Sequence, residues 1–492
     1  MLGLTNLFKY HKIPLLFILL SSLFYLSFAY DLLRTDITKL LLLWIALFVF
    51  AYQIIKMTGF YFRLLAISAI LFRLLILFSV PNLSQDFYRF IWDGRLILEG
   101  LNPYLYTPDS FIQNGKLPIA QAQELYSGMG ALSSSHFTNY PPLNQLCFAI
   151  AALFSGKSIL GSVVVLRTLI IAADIGTLYF GKKLLERLKL PSNRIFWYLL
   201  NPFIIIELTG NLHFEGVMIF FLVWSLYVLH CGKWKWAAVI LACSISVKLI
   251  PLMFLPLFFG YFTTTAPIDR KKRKRNDIKN TSTTLSTDKV KQSAKSQEIT
   301  TSSYIPRNDV FKLFSFYTIV AITTLFLFLP FLSIEFITNY SKTVGLWFGD
   351  FEFNASIYYL AREVGFALTG YNEILTIGKV LPILSLFIIL GFSFFKPNNT
   401  IPKLTTSILL VFTCYLFLST TVHPWYITTL VILCVFTKYK FPLVWSAALI
   451  LSYLAYSNSE NSENLWIIGL EYLIVFAAFI WEVLLKKRLR IL

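Results

Sequence analysis

Charge is scarce in this sequence: 14% of its 492 residues are Asp, Glu, Lys or Arg, where a soluble domain carries roughly a quarter. With 57% hydrophobic residues and a mean hydropathy of +0.68, the solvent implied is a bilayer rather than water. Cysteine is sparse as well. Cys147, Cys231, Cys243, Cys414 and Cys434 are an odd set without a CxxC pair, and nearly all lie in apolar stretches. They read as small buried hydrophobes, which leaves no support for a disulfide framework or a zinc site. Acids are fewer than bases, 25 against 43, for a formal charge of +18. The bases sit in short segments between apolar runs, a pattern that sets membrane topology, so no nucleic-acid partner is expected. A small-residue cleavage motif is missing after Tyr30. The first apolar segment, preceded by Lys9, His11 and Lys12, therefore reads as an uncleaved helix.

Apolar runs long enough to cross a hydrocarbon core recur along the chain. They lie at about 14–32, 37–57, 62–80, 160–180, 195–209, 215–231, 310–331, 374–395, 404–420, 425–437, 441–456 and 465–485. Placing Lys56, Arg63, the basic stretch from Lys182 to Arg194, Lys233, Lys235, Lys396, Lys403, Lys438, Lys440 and the tail after Lys486 on the cytoplasmic side closes the parity with both termini inside. Residues 141–156 are then left as a helix on or dipping into the outer surface. Residues 237–262 must enter and return as two short helices broken near Lys248 and Pro251. The fold class is an all-α polytopic bundle of about 11–14 helices. Its organisation is 1–80, N-terminal spans; 81–158, a large outer loop with juxtamembrane helices; 159–266, a core with the broken helix; 267–309, a disordered basic cytoplasmic loop; and 310–492, C-terminal spans with an outer loop at 332–373.

This topology, built from Lys and Arg alone, sends Asp86, Asp93, His136, His213, Glu215, Asp350, Glu352 and His423 to one side. Ionisable groups gathered at one membrane interface point to a functional site, although outer loops are polar in any case. In the segment Ser84 to Glu99, Asp86, Arg89 and Asp93 recur at spacings of three and four and share a helix face. A carboxylate beside a low-dielectric surface has a tunable pKa, and a neighbouring Arg can hold an anion. The same spacing equally permits an ion pair from Arg89 to Asp86 or Asp93 that merely pins the helix. His213 and Glu215 fall at an outer turn, for substrate contact or for capping. Lys248 is a lone cation in an apolar stretch, read as a phosphate counter-charge or as a snorkelling side chain. His423, with Trp425 and Tyr426, forms another outer cluster or an interface belt.

The strings Asp86-Phe-Tyr-Arg, Trp92-Asp-Gly-Arg95, Gly100-Leu-Asn-Pro-Tyr104, Tyr140-Pro-Pro-Leu143, Asn201-Pro-Phe203, Gly210-Asn-Leu-His-Phe-Glu215, Val247-Lys-Leu-Ile-Pro251 and His423-Pro-Trp-Tyr426 occur in this order. The ordered set resembles bacterial GT-C glycosyltransferases of the polyprenyl-phosphate-mannose-dependent type, from about Pro81 to Tyr426. The first two helices stand outside that resemblance and read as an N-terminal addition. The resemblance implies a hexosyltransferase, most simply a mannosyltransferase, of a bacterial cytoplasmic membrane with its site on the outer, periplasmic face. It would move a hexose with inversion from a polyprenyl-phosphate donor to a glycan or lipid acceptor. Asp86 is implied as the general base and Asp93 is its runner-up. Arg89, Arg95 and Lys248 are the candidates for the leaving phosphate, and His213, Glu215 and His423 for further substrate contacts. No DxD pair occurs in the outer loops, so no metal and no other cofactor is expected. A transporter or flippase of lipid-linked sugar is the alternative, weakened by the lack of paired broken helices in two related halves. A membrane scaffold, and a polymerase or ligase of surface polysaccharide, are further readings.

Overall fold

Backbone N–H and C=O groups in a hydrocarbon environment must be satisfied within the chain, so long apolar runs become helices. The computed structural model describes residues 12–59, 61–264, 307–349, 351–457 and 462–486. It is 78% helix, and among the described residues there is no strand, only an isolated bridge between Phe353 and Thr421. Among the described residues, seven helices are long and apolar enough to cross a membrane. They include α1 (Lys12–Asp31) and α2 (Ile37–Thr58), then α7 (Ile159–Arg187), α12 (Val310–Phe331), α15 (Ile374–Phe395), α16 (Ile401–Leu418) and α19 (Leu465–Leu485). The chain is thus a multi-pass membrane protein. The bent pair α8 (Pro202–Gly210) and α9 (Glu215–His230) makes an eighth span when taken together. Shorter apolar helices at α6 (Pro142–Ser155), α10 (Trp234–Val247), α11 (Ile250–Thr263), α17 (Pro424–Val435) and α18 (Phe441–Tyr456) complete the bundle. The expected count of 11–14 is approached only when these short helices are included. The expected disordered loop at 267–309 lies outside the described residues as far as 306.

One expected crossing is shorter than its apolar run. The helix α3 (Phe62–Leu75) stops after 14 residues, about 21 Å of rise, and the run to Val80 continues as turn. The charge inside it explains its position. Arg73 is buried and its Nε donates to Asp174 Oδ2 at 2.7 Å, while Nη1 donates to the Leu199 carbonyl at 2.7 Å. A guanidinium spent on a partner carboxylate and a helix-end carbonyl ties α3 to α7 and to the approach of α8.

The bend between α8 and α9 measures 114° and has a nameable cause. The end of α8 is π-helical, Ile205–Gly210, which releases carbonyls from the regular ladder. Arg167 of α7 takes them up, with Nε to the Thr209 carbonyl at 2.7 Å and Nη2 to the Gly210 carbonyl at 2.9 Å. Its Nη1 donates to the carbonyls of Leu77 and Ser79 just after α3. The break expected at Lys248 is present: Lys248 is extended (φ −147°, ψ 141°) between α10 and the 3₁₀ start of α11, with Pro251 just beyond.

Asp86–Leu98 is helical (α4) and lies between α5 (Ala122–Ser134) and α6. Gly94 makes the approach to α6 possible, because a Cβ there would stand 2.2 Å from the Phe148 carbonyl oxygen. Phe90 stacks on Phe148 at 4.6 Å, and both meet Phe214 edge-on. The loop helix is thereby fastened to the α8–α9 break, and Asp86 at its first turn is brought to the core.

Candidate functional site

Four breaks in the helical framework meet at one place: the start of α4, the α8–α9 bend, the end of α10 and the turn before α17. The contacts that join them are polar. Lys248 Nζ stands 3.1 Å from Glu215 Oε1; both Glu215 oxygens are buried without an aligned hydrogen bond, so this is a charge contact rather than a directed bond. The Lys248 ammonium also lies 5.0 Å from the centre of the Tyr140 ring, a cation–π contact. His213 Nε2 is 3.5 Å from Glu207 Oε2. Glu207 Oε1 accepts from Asn211 Nδ2 at 3.0 Å and from the Tyr453 hydroxyl. His213 and His423 both stack on Trp425, with ring centres 3.9 and 4.5 Å away.

Asp86 stands apart in this group. Its side chain is partly accessible yet walled in by protein, and its carboxylate has no hydrogen-bond or ion-pair partner among the described residues. Burial pushes the carboxyl up to about 6 from 3.8; the Lys248 charge opposes the rise and the Glu215 charge adds to it. Such a carboxylate is ionised at neutral pH and able to accept a proton. Burial and the Lys248 charge hold His423 down to about 3, so this imidazole is neutral and serves as a hydrogen-bonding group. The buried side-chain atoms without partners gather here too: both Glu215 oxygens, His213 Nε2, Glu207 Oε2 and Asn211 Oδ1. Orphaned polar atoms in such density mark where water or a ligand belongs.

Of the expected site residues, the structure unites Asp86, His213, Glu215, Lys248 and His423. It takes three others away. Arg89 and Asp93 are buried and spent on each other: Arg89 Nε donates to Asp93 Oδ1 at 2.8 Å, and Gln145 Nε2 donates to Asp93 Oδ2 at 2.9 Å. Arg89 Nη1 also bonds the carbonyls of Ser133 and His136. Arg95 is buried and donates to the Ala120 carbonyl at 2.6 Å. The reason is the cover on α4. With α5 and α6 on either side, these side chains meet the ends of neighbouring segments, and Asp86 alone of the shared-face trio is left open. The Arg89–Asp93 pair is the pinning alternative that the spacing had allowed. Glu352 is likewise engaged locally, by Arg362 at 2.6 Å, Asn372 at 2.7 Å and the Tyr358 hydroxyl. His136 folds back on the Leu132 carbonyl. Asp350 lies outside the described residues.

Two members of the cluster escape sequence reasoning. Glu207 sits within an apolar run that reads simply as a crossing; an acid at such depth was itself the signal. Tyr453 carries no signal, because its partner is 246 residues away. Among the described residues, no three His, Cys, Asp or Glu side chains are arranged to hold a metal ion.

Residues 15–264, about half of the chain, match the family profile described as alpha-(1->6)-mannopyranosyltransferase, N-terminal domain. Over 182 residues the chain is 22% identical to alpha-(1->6)-mannopyranosyltransferase A of Mycobacterium tuberculosis, covering 37% of this chain and 33% of that protein. The match therefore spans about a third of that relative's length. No solved structure matches. The profile begins within α1, so the first two helices are part of the matched domain and not an addition to it, as the resemblance from Pro81 onward had implied.

Proposed function

Because the chain belongs to the alpha-(1->6)-mannopyranosyltransferase family, we propose that it is a membrane glycosyltransferase that moves a mannosyl group from a polyprenyl-phosphate donor to a glycan or lipid acceptor, with Asp86 as general base. The observation that carries this reading is the Asp86 carboxylate, accessible, unpartnered and poised near pH 6 at the meeting point of four helix breaks. As the acceptor oxygen bonds to the anomeric carbon, Asp86 takes its proton. The bond from that carbon to the phosphate oxygen breaks, and the lipid phosphate leaves with the electron pair, from the opposite face and hence with inversion. Lys248 is the cation nearest to Asp86 and Glu215 and offsets the charge of the departing phosphate. The neutral His213 and His423, braced on Trp425, and the carboxyl group of Glu207 supply hydrogen bonds for sugar hydroxyls. The cluster faces the outer side of a bacterial cytoplasmic membrane, where lipid-linked donors are presented.

The test is Asp86→Asn in membranes supplied with a polyprenyl-phosphate mannose donor. Loss of a proton acceptor costs about 10²–10⁴ in rate, with no lowering of the melting temperature of the protein. Transfer at the wild-type rate in this variant would remove Asp86 from the mechanism.

A further inference from the structure

The connection between α1 and α2 carries a guanidinium that no acid neutralises among the described residues. Arg34 stacks on Tyr456, with its central carbon 3.5 Å from the ring centre. Its Nε is buried without a hydrogen-bond partner, and among the described residues the side chain has neither a hydrogen bond nor an ion pair. The two acids in the same connection are spent otherwise. Asp31 pairs with Lys39, and Asp36 caps α2 by accepting from the Lys39 N–H at 3.1 Å. Arg34 pairs with neither and packs instead on Tyr456. The Tyr456 hydroxyl lies within electrostatic reach of Arg34, Asp86 and Glu207 at once, and Tyr453, which donates to Glu207, also feels Arg34. Beside it an open groove of about 590 Å³ has Ile37, Leu454 and Glu463 in its wall.

The buried Arg34 Nε lacks an acceptor while the rest of its guanidinium reaches the surface, and a cation stacked beside a cluster of orphaned acceptors and donors is open to an anion from outside. Lys248 is already shared with Glu215, which leaves the positive charge of the site short for a phosphate. We infer that Arg34 is a binding residue for the phosphate of the lipid-linked donor, its planar fork held open by the face of Tyr456. A guanidinium offers two parallel N–H groups to a phosphate, a match that the Lys248 ammonium lacks. This inference rests on the transferase reading for the identity of the ligand.

The experiment uses the full chain purified in detergent, with farnesyl phosphate as probe and farnesol as its uncharged control. Arg34→Gln weakens farnesyl phosphate binding by at least about tenfold, Arg34→Lys gives an intermediate value, and both leave farnesol binding and the melting temperature at wild-type values. Unchanged farnesyl phosphate binding in Arg34→Gln overturns the inference, as does an equal loss of farnesol binding, which would mark Arg34 as a structural pin on Tyr456. Wild-type protein that binds farnesyl phosphate through Arg34 but transfers no mannose would support the phosphate site and overturn the transferase reading.

Discussion

At the scale of single residues, two carboxylates set on one helix meet different fates because of what they touch. Asp86 keeps its carboxylate free with a pKa raised to about 6, and two consequences follow in opposite directions. The rate under kcat/KM conditions falls on the acid side with an apparent pKa near 6, since a protonated base cannot accept a proton. Stability moves the other way. The native state holds this proton more tightly than the unfolded chain, so folding free energy is lost as pH rises from about 4 to about 6 and stays lost above it. Asp86→Asn therefore raises the melting temperature at neutral pH while slowing transfer by about 10²–10⁴, which a thermal melt in detergent measures alongside the assay. Asp93 behaves as its partner dictates. Asp93→Ala strands the buried Arg89 and costs about 3–5 kcal/mol of stability, visible as a lowered melting temperature and not merely as lost activity. Alternation along the sequence placed both acids on one face; only the neighbouring α5 and α6 decide which is closed over.

At the scale of elements, the site is made from interruptions rather than from regular helix. Each interruption is held by a named group: Arg167 on the carbonyls of Thr209 and Gly210, Pro251 after the extended Lys248, Gly94 under the Phe148 carbonyl. Gly94→Ala is the sharp test of this. A methyl group 2.2 Å from a backbone oxygen has no rotamer to escape by, so α4 must lift from α6 and take Asp86 with it. The expected outcome is loss of transfer with altered protease sensitivity in residues 99–141, and unaltered insertion of the protein in membranes. The break at Lys248 and the short helix after Pro141 were legible in the sequence, because proline and a lone lysine in apolar surroundings leave no regular alternative. The π-helical end of α8 was not, since Glu207, Thr209 and Gly210 within Ile205–Gly210 interrupt an apolar run without specifying the pitch of its last turn.

At the scale of the whole molecule, the proposal that the cluster is an enzyme site of the outer face turns on sidedness, which is testable without knowing any substrate. In a chain whose five native cysteines are replaced, Asn114→Cys in the loop between α4 and α5 reacts with an impermeant maleimide on intact cells. Glu186→Cys, near the end of α7, reacts only after lysis; both positions are exposed. The reverse pattern would put the cluster on the cytoplasmic side and remove the proposed donor. Hydropathy and the positions of lysine by themselves determined that the chain is a helical membrane protein and where most of its helices run, because the solvent reads each residue in turn and a bilayer leaves the backbone no other choice. Which charges are free and which are spent was decided by tertiary structure alone. Arg89 had Asp93 within reach one helical turn away, whereas Arg73 finding Asp174, and Arg34 finding no acid among the described residues, are outcomes of helices pressed together from distant parts of the chain, and a partner at long separation leaves no mark in local sequence.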